Sequence, residues 1–440
     1  MGLTWFSTGV VLLQAFYCAD EKRPPFQSLH MADPLRIVHL GKYYPPAPGG
    51  IESLVRDMAV AQADAGMNVT VHAFQHHKGV PTTDGIENGV HVYRHEKRAS
   101  VAKLDISPGL LDHIRHCEPD VIHVHVPNPS MILALLASRG VLSRAPVVVG
   151  YHADVVRQKL RSLLFRPLER RFYRHVAAIT TPSPIHITSS EFLRPYADRL
   201  HAVPLALKLD EYLNPTADDL AEARRLRESA PGPIWLACGR LVYYKGFATA
   251  IAALSQSQTR NGQLWIIGTG PDRESLEAEA HRLGVADRVR FLGHVKRTVP
   301  YYQAANSFWF PSNARSESFG LAQVEAMASG CPVINTAIPN SGVSWVSQNG
   351  ISGMTVPVGD SAELARCADL LANDDNLRAG YAAGARLRAM QEFDIRVMVD
   401  RLSRLYSEVL GSNTNVPASH EERETGHKEP LRIPLLPASA

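Results

Sequence analysis

From Arg36 onward, short and nearly unbroken apolar runs alternate with amphipathic ones, and the alternation stops once and restarts. The first series holds "RIVHL" (36–40), "NVTVHAF" (68–74), "VHVYR" (90–94), "DVIHVHV" (120–126), "PVVVGYH" (146–152), "AAITTPS" (177–183) and "LHAVPLA" (200–206). The second holds "IWLACGRL" (234–241), "QLWIIGTG" (263–270), "RVRFLGHV" (288–295), "SFWFPS" (307–312), "PVINTA" (332–337) and "GMTVPVG" (353–359). A run apolar at every position reads as a strand buried on both faces, and helices between such strands supply the cover. The pattern therefore predicts an α/β chain with two doubly wound, parallel-sheet, Rossmann-like domains facing across a cleft. Ligands of such sheets bind beyond the carboxyl ends of the strands, so the loops after strands are where chemistry is expected.

Residues 1–30 are expected to be an extension or a mis-called start, because "MADPLRIVHLG" from Met31 reads as a natural beginning. The apolar piece "TGVVLLQAFYCA" has no Lys or Arg before it, unlike a signal peptide. The first domain is expected over 31–208 and the second over 209–390. A C-terminal helix (391–411) would pack back across the domains, and 412–440 reads as a polar, Pro-rich, disordered tail. A formal net charge of +3 gives no reason to expect nucleic acid as a partner. The five cysteines form no CxxC pair, which argues against a zinc site or a disulfide framework and favours a reducing compartment. No apolar run reaches the roughly 18 residues of a spanning helix.

Three loops have the composition to handle phosphate. "GKYYPPAPGGIESLV" places Gly49 and Gly50 directly before a helix, where bare backbone lets an anion approach the N–H groups. "GRLVYYKGF" sets Arg240 and Lys245 on a turn between a strand and a helix, a fork and a point charge suited to a diphosphate. "ARSESFGLAQVEAMASGCP" carries Glu317 before a helix that starts near Phe319, Gly320 and Leu321, and Glu325 inside it. The two carboxylates stand eight positions apart. Eight helical positions span ~12 Å, too far for a shared proton or one metal ion and better suited to two parts of an extended ligand. "IIGTGP" lacks the full dinucleotide spacing, which counts against a dehydrogenase.

Together and in this order, "PGGIESLV", "GRLVYYKG" and "ESFGLAQVE" resemble the motifs of the retaining glycosyltransferases of family 4, which have the GT-B fold. The resemblance covers about 36–410. Tracts such as "SGVSWV" and "RSESFG" are similar to members that build bacterial O-antigens and exopolysaccharides. The resemblance implies transfer of a hexose from a nucleoside diphosphate sugar, with retention, no metal and no cofactor beyond that co-substrate. It implies that Arg240 and Lys245 bind the diphosphate and Glu325 holds the ribose. Glu317 would contact the transferred sugar, supported by the N–H groups near Phe319 and Gly320. The base would lie near Gly293 and Val295 in "GHVKR". Gly49 and Gly50 would close over diphosphate or acceptor, and His152 in "GYHAD" would position the donor sugar. GDP-mannose or a related GDP-hexose is the expected donor, and a glycan or polyprenyl-linked species the expected acceptor. One departure is visible: the loop after "CPVI" reads "NTAIPNSGVSWVSQNG" and lacks the glutamate common in the family's Gly-Gly-x-x-Glu segment.

Some residues admit plainer readings. His123 and His125 share one strand face at period 2, as a metal pair without an evident third ligand or as cleft-wall packing. Cys238 and Cys331 read as core fillers. "DVVRQKLRSLLFRPLERRFYRH" carries Arg157, Lys159, Arg161, Arg166, Arg170, Arg171 and Arg174 among apolar residues at helical spacing. That suits an anionic membrane surface, hence a cytoplasmic protein peripheral on the inner face, or an ordinary surface helix. A glycoside hydrolase would need its carboxyl pair only ~5–9.5 Å apart and has no use for an Arg/Lys diphosphate cradle. The sequence is also compatible with a two-lobed sugar- or nucleotide-binding protein without chemistry, and with a UDP-sugar-dependent transferase.

Overall fold

The computed structural model describes residues 34–47, 49–101, 104–152 and 159–413. The expected extension over 1–30 and the expected tail beyond Asn413 lie outside the described residues. The first sheet is built from β1 (Arg36–Leu40), β2 (Asn68–Lys78), β3 (Thr83–Glu87), β4 (Val90–Lys97), β7 (Val121–Val126), β8 (Val147–Tyr151), β9 (Val176–Thr181) and β10 (Leu200–Ala202). Its order is β10-β9-β8-β7-β1-β2-β4-β3. Every pairing is parallel except β3 with β4. β5 (Ala99–Val101) and β6 (Leu104–Ile106) form a separate hairpin. The second sheet, all parallel, runs β13 (Val289–Gly293), β12 (Gln263–Ile267), β11 (Ile234–Cys238), β14 (Ser307–Phe310), β15 (Val333–Thr336) and β16 (Gly353–Val356).

Alternate residues of each central strand enter different cores, as full burial requires. Val38 and Leu40 pack with Val124 and Val149 on one face of the first sheet, whereas Ile37, Val121 and Val148 pack on the other. In the second sheet Trp235 stacks on Trp309, ring centroids 5.1 Å apart, while Leu236 and Phe308 face the opposite core.

Among the parallel strands the order reverses between β1 and β7 in the first sheet and between β11 and β14 in the second. These reversals open crevices at the carboxyl ends of the strands. The loops emerging there are the ones singled out by sequence: 41–49 after β1, 239–246 after β11 and 311–320 after β14.

The last helix, Ile395–Asn413, does not stay with the second sheet. Its Ile395, Met398, Val399, Leu402, Leu405, Tyr406 and Val409 are buried against Ile37, Leu54, Met58 and Val148 of the first domain. Two backbone bonds fix its return, Leu207 N–H to Phe393 O at 3.0 Å and Ile395 N–H to Leu207 O at 2.9 Å. Among the described residues no helix is long and apolar enough to cross a membrane.

Candidate active site

Lys245 reaches the cleft because of glycine geometry. Gly246 has φ +69°, which starts the helix Phe247–Gln256, and a Cβ there would lie 1.9 Å from Pro311 O. The loop after β11 is thereby locked against the loop after β14, and Asn313 N–H donates to Tyr244 O at 2.9 Å. Lys245 Nζ lies 2.5 Å from Glu317 Oε2, with side chains 15% and 11% exposed. The ammonium also lies 5.1 Å from the Phe310 ring centroid. Ser312 Oγ donates to the same carboxylate oxygen at 3.3 Å.

Glu317 is further held through its backbone. Its N–H donates to Ala314 O at 2.9 Å, and Ser341 Oγ donates to its carbonyl at 2.5 Å. Gly342 N–H donates to Ser318 O at 3.0 Å. Thus the loop that lacks the expected glutamate acts as a backbone clamp on Glu317. Phe319 is buried. Gly320, at φ +85° against the Phe310 ring, caps the helix Leu321–Ala328. Gln323 N–H donates back to Gly320 O at 2.9 Å, and the N–H groups of Leu321 and Ala322 before it have no carbonyl within the helix to bond and so present donors.

Glu325 accepts a hydrogen bond from the Tyr302 hydroxyl at 2.9 Å. Burial raises its pKa to about 7, with Tyr302 pulling the other way and Glu211 adding to the rise. Cys238 closes β11 beside it. Its thiol is pushed up to about 12 by burial and then by the Glu325 carboxylate, with Lys245 opposing. Cys238 therefore sits within electrostatic reach of both Glu325 and Lys245, whereas Cys331 is plain core.

The remaining expected site residues are placed less tightly. Arg240 is exposed and makes no ion pair among the described residues. Gly293 ends β13 at φ +66° with open space where a Cβ would stand, and Val295 follows half-buried against the core. Gly49 and Gly50 are exposed at the start of the helix Gly50–Asp64, where Glu52 folds over Gly49. His152, directly after β8, is buried, and its carbonyl accepts from Ser318 Oγ at 3.3 Å. That bond ties the sugar-positioning candidate of the first domain to the Glu317 loop of the second.

Sequence reading missed what stands behind His152. β1, β7 and β8 lie side by side, His39 pairs in register with His123, and His125 with Gly150. Ring nitrogens of His39, His123 and His125 lie within 4.8 Å of one another. The third histidine beside the pair is thus His39, contributed by a neighbouring strand.

The basic stretch forms a helix over Lys159–Tyr173, and Arg157 lies outside the described residues. Phe172 and Tyr173 are buried in the first domain's core with Leu168 against it, while Arg166, Arg170, Arg171 and Arg174 are exposed. Leu168, Phe172 and Tyr173 therefore face inward, whereas Pro167 is exposed.

Comparison with known proteins follows the same lines. Residues 232–374 match the model for glycosyl transferases group 1, and residues 49–206 that for a glycosyl transferase 4-like domain. The D-rhamnosyltransferase WbpZ of Pseudomonas aeruginosa is 30% identical over 331 residues, 73% of this chain and 83% of that protein. The chain belongs to glycosyltransferase family 4. The transferase is also 28% identical to the O-antigen chain mannosyltransferase C of Escherichia coli, over 86% of this chain and all of that one. Its GT-B fold matches sucrose-phosphate synthase from Thermosynechococcus elongatus (TM-score 0.69, 22% identity, 86% of this chain and 100% of that one). It also matches Anabaena HepE in complex with UDP-glucose (TM-score 0.67, 21% identity, 84% and 99%).

Proposed function

We propose that this glycosyltransferase moves a hexose, with retention and without a metal ion or other cofactor, from a nucleoside diphosphate sugar to a lipid-linked or oligosaccharide acceptor. The donor favoured is GDP-mannose or a related GDP-hexose, and the setting cell-surface polysaccharide synthesis. The observation that carries the reading is the Lys245–Glu317 pair at the sheet reversal, just ahead of the helix start at Gly320, with the buried Glu325 further along that helix. A diphosphate entering there draws the Lys245 ammonium from Glu317 and meets the N–H groups of the helix. Arg240, exposed at the same loop, adds a second cation. Charge growing on the leaving diphosphate is met by groups already in place, where electrostatic stabilisation is most effective. Glu317, released from Lys245, turns to the transferred sugar, and Glu325 accepts from the ribose hydroxyls.

The preference for GDP-mannose rests on the mannosyl- and rhamnosyltransferase relatives. The UDP-glucose of the HepE complex supports a UDP-sugar as the competing donor. The purified protein, incubated with a panel of nucleotide sugars and polyprenyl-linked acceptors in chelator, decides between them. Transfer from GDP-mannose with an α-linked product is the expected result. Transfer only from UDP-sugars, an inverted product or loss of activity in chelator each removes the corresponding part of the proposal.

A further inference from the structure

His39, His123, His125 and His152 occupy one face of the first sheet, the face covered by the helices Gly50–Asp64 and Ile395–Asn413. They are 0%, 1%, 3% and 7% exposed, so bulk water does not reach their nitrogens. The polar atoms instead bond one another in sequence. Gln62 Nε2 donates to Tyr406 Oη at 3.1 Å, and Gln62 Oε1 lies 2.6 Å from His39 Nε2. His39 Nδ1 lies 3.0 Å from His125 Nε2, and His125 Nδ1 lies 3.1 Å from His152 Nε2. On a branch, Tyr406 Oη lies 2.7 Å from His123 Nδ1, and His123 Nε2 has no partner among the described residues.

A neutral imidazole has one donor and one acceptor nitrogen, so the assignment at one end propagates along the row. With the Gln62 amide nitrogen spent on Tyr406, its oxygen must accept from His39 Nε2–H. His39 Nδ1 then accepts from His125 Nε2–H, and His125 Nδ1 accepts from His152 Nε2–H. His152 is left with Nδ1 as a bare acceptor. Reversing the amide reverses every bond. Gly150 leaves room for this: a Cβ there would lie 3.0 Å from His125 Nδ1, 3.1 Å from His123 Nε2 and 3.3 Å from His152 Nε2.

We infer that Gln62, His39 and His125 are positioning residues that fix the tautomer of His152, with Tyr406 of the last helix holding the Gln62 amide. The inference rests on the reading that His152 faces the reaction centre, where its Nδ1 would accept a hydrogen bond from a hydroxyl of the bound donor sugar.

The test uses the full chain with 15N-labelled histidine. Long-range 1H–15N correlation spectra report which nitrogen of His152 is protonated, whether or not the enzyme turns over. The wild type should show Nε2–H alone. Gln62→Glu, whose carboxylate only accepts, should keep that tautomer and most of kcat. Gln62→Leu, which removes both polar atoms, and Gly150→Ala, which crowds the His125–His152 bond, should mix the tautomers. Both should lower kcat roughly tenfold with donor KM little changed. An unmixed His152 in folded Gln62→Leu would overturn the inference. So would a stoichiometric transition metal on His39, His123 and His125 in the purified protein. Absence of transfer from any donor in the wild type would instead count against the proposed function, with the spectra still deciding the tautomer.

Discussion

Lys245 and Glu317 form an ion pair in the cleft, Nζ to Oε2 at 2.5 Å, with little of either side chain reaching solvent. On the proposed function, the cation assigned to the diphosphate and the carboxylate assigned to the sugar are each other's placeholder. Lys245→Ala should therefore raise donor KM and lower kcat by roughly 10²-fold, since it removes charge stabilisation as the diphosphate departs. Glu317→Gln keeps the shape and frees the ammonium. It should cut kcat by roughly 10²-fold while leaving donor KM unchanged or lower. Steady-state kinetics on both variants, with donor titrated by calorimetry, checks the split. Equal effects of the two variants on KM would contradict the assigned roles.

Glu325 should make donor binding pH-sensitive near neutrality. Burial raises its pKa from 4.5 to about 7, so the folded state holds a proton there that the unfolded chain has lost. This carboxyl therefore favours folding less as pH rises through that window. Donor binding runs the other way, because the ionised form is the better acceptor for ribose hydroxyls. Donor KM should rise as pH falls below about 7. Glu325→Gln should weaken donor binding and flatten that pH dependence, as read by donor titrations from about pH 5.5 to about 8.5.

The buried histidines should dominate acid unfolding. Burial lowers His39, His95 and His152 to about 4 and His72 to about 3, from 6.5, and holds His123 and His125 well below 6.5. Between those values the unfolded chain binds more protons than the folded one. Stability is then full above the unfolded value near 6.5 and is lost as pH falls toward 4. Each such group contributes a slope of about 1.4 kcal/mol per pH unit at most. Several of them outweigh Glu325, which acts in the opposite sense. Urea midpoints should fall steeply from about pH 7 to about 5, and His72→Phe together with His95→Leu should make the slope shallower.

Arg166, Arg170, Arg171 and Arg174 are exposed at a helix end whose Leu168, Phe172 and Tyr173 pack on the core. Any attachment to an anionic membrane through these arginines would be electrostatic, worth about 1 kcal/mol each near the surface. Replacing Arg166, Arg170 and Arg171 with Gln should weaken binding to anionic vesicles by roughly 10²-fold at low salt and leave transfer to a soluble acceptor unchanged. Vesicle sedimentation across a salt series reads it. Unchanged sedimentation would mark this as ordinary surface.

Sheet composition was legible wherever a strand is buried on both faces. β11, "IWLAC", leaves no other reading, and the helix Phe247–Gln256 falls where its apolar spacing places it. β3, "TDGIE", was not legible: it is a polar, exposed edge that pairs antiparallel with β4 and carries no apolar run. The phosphate loops were legible because glycine and basic residues cluster at strand ends. The partners of those loops were not. Ser341 clamps Glu317 from 24 positions away, and Tyr406 meets Gln62 from 344. Such contacts depend on strand order and on the return of the last helix, which no local pattern encodes.

That return joins the two domains by neighbouring stretches of chain. The outgoing chain at Leu207 and the returning chain at Phe393–Ile395 are hydrogen-bonded side by side as a parallel bridge. A single tether would let one domain swivel freely; two parallel tethers resist torsion and leave bending as the soft motion. Bending at this bridge would part Ser318 from His152, whose bond at 3.3 Å spans the cleft, and bring the two back in the same alignment.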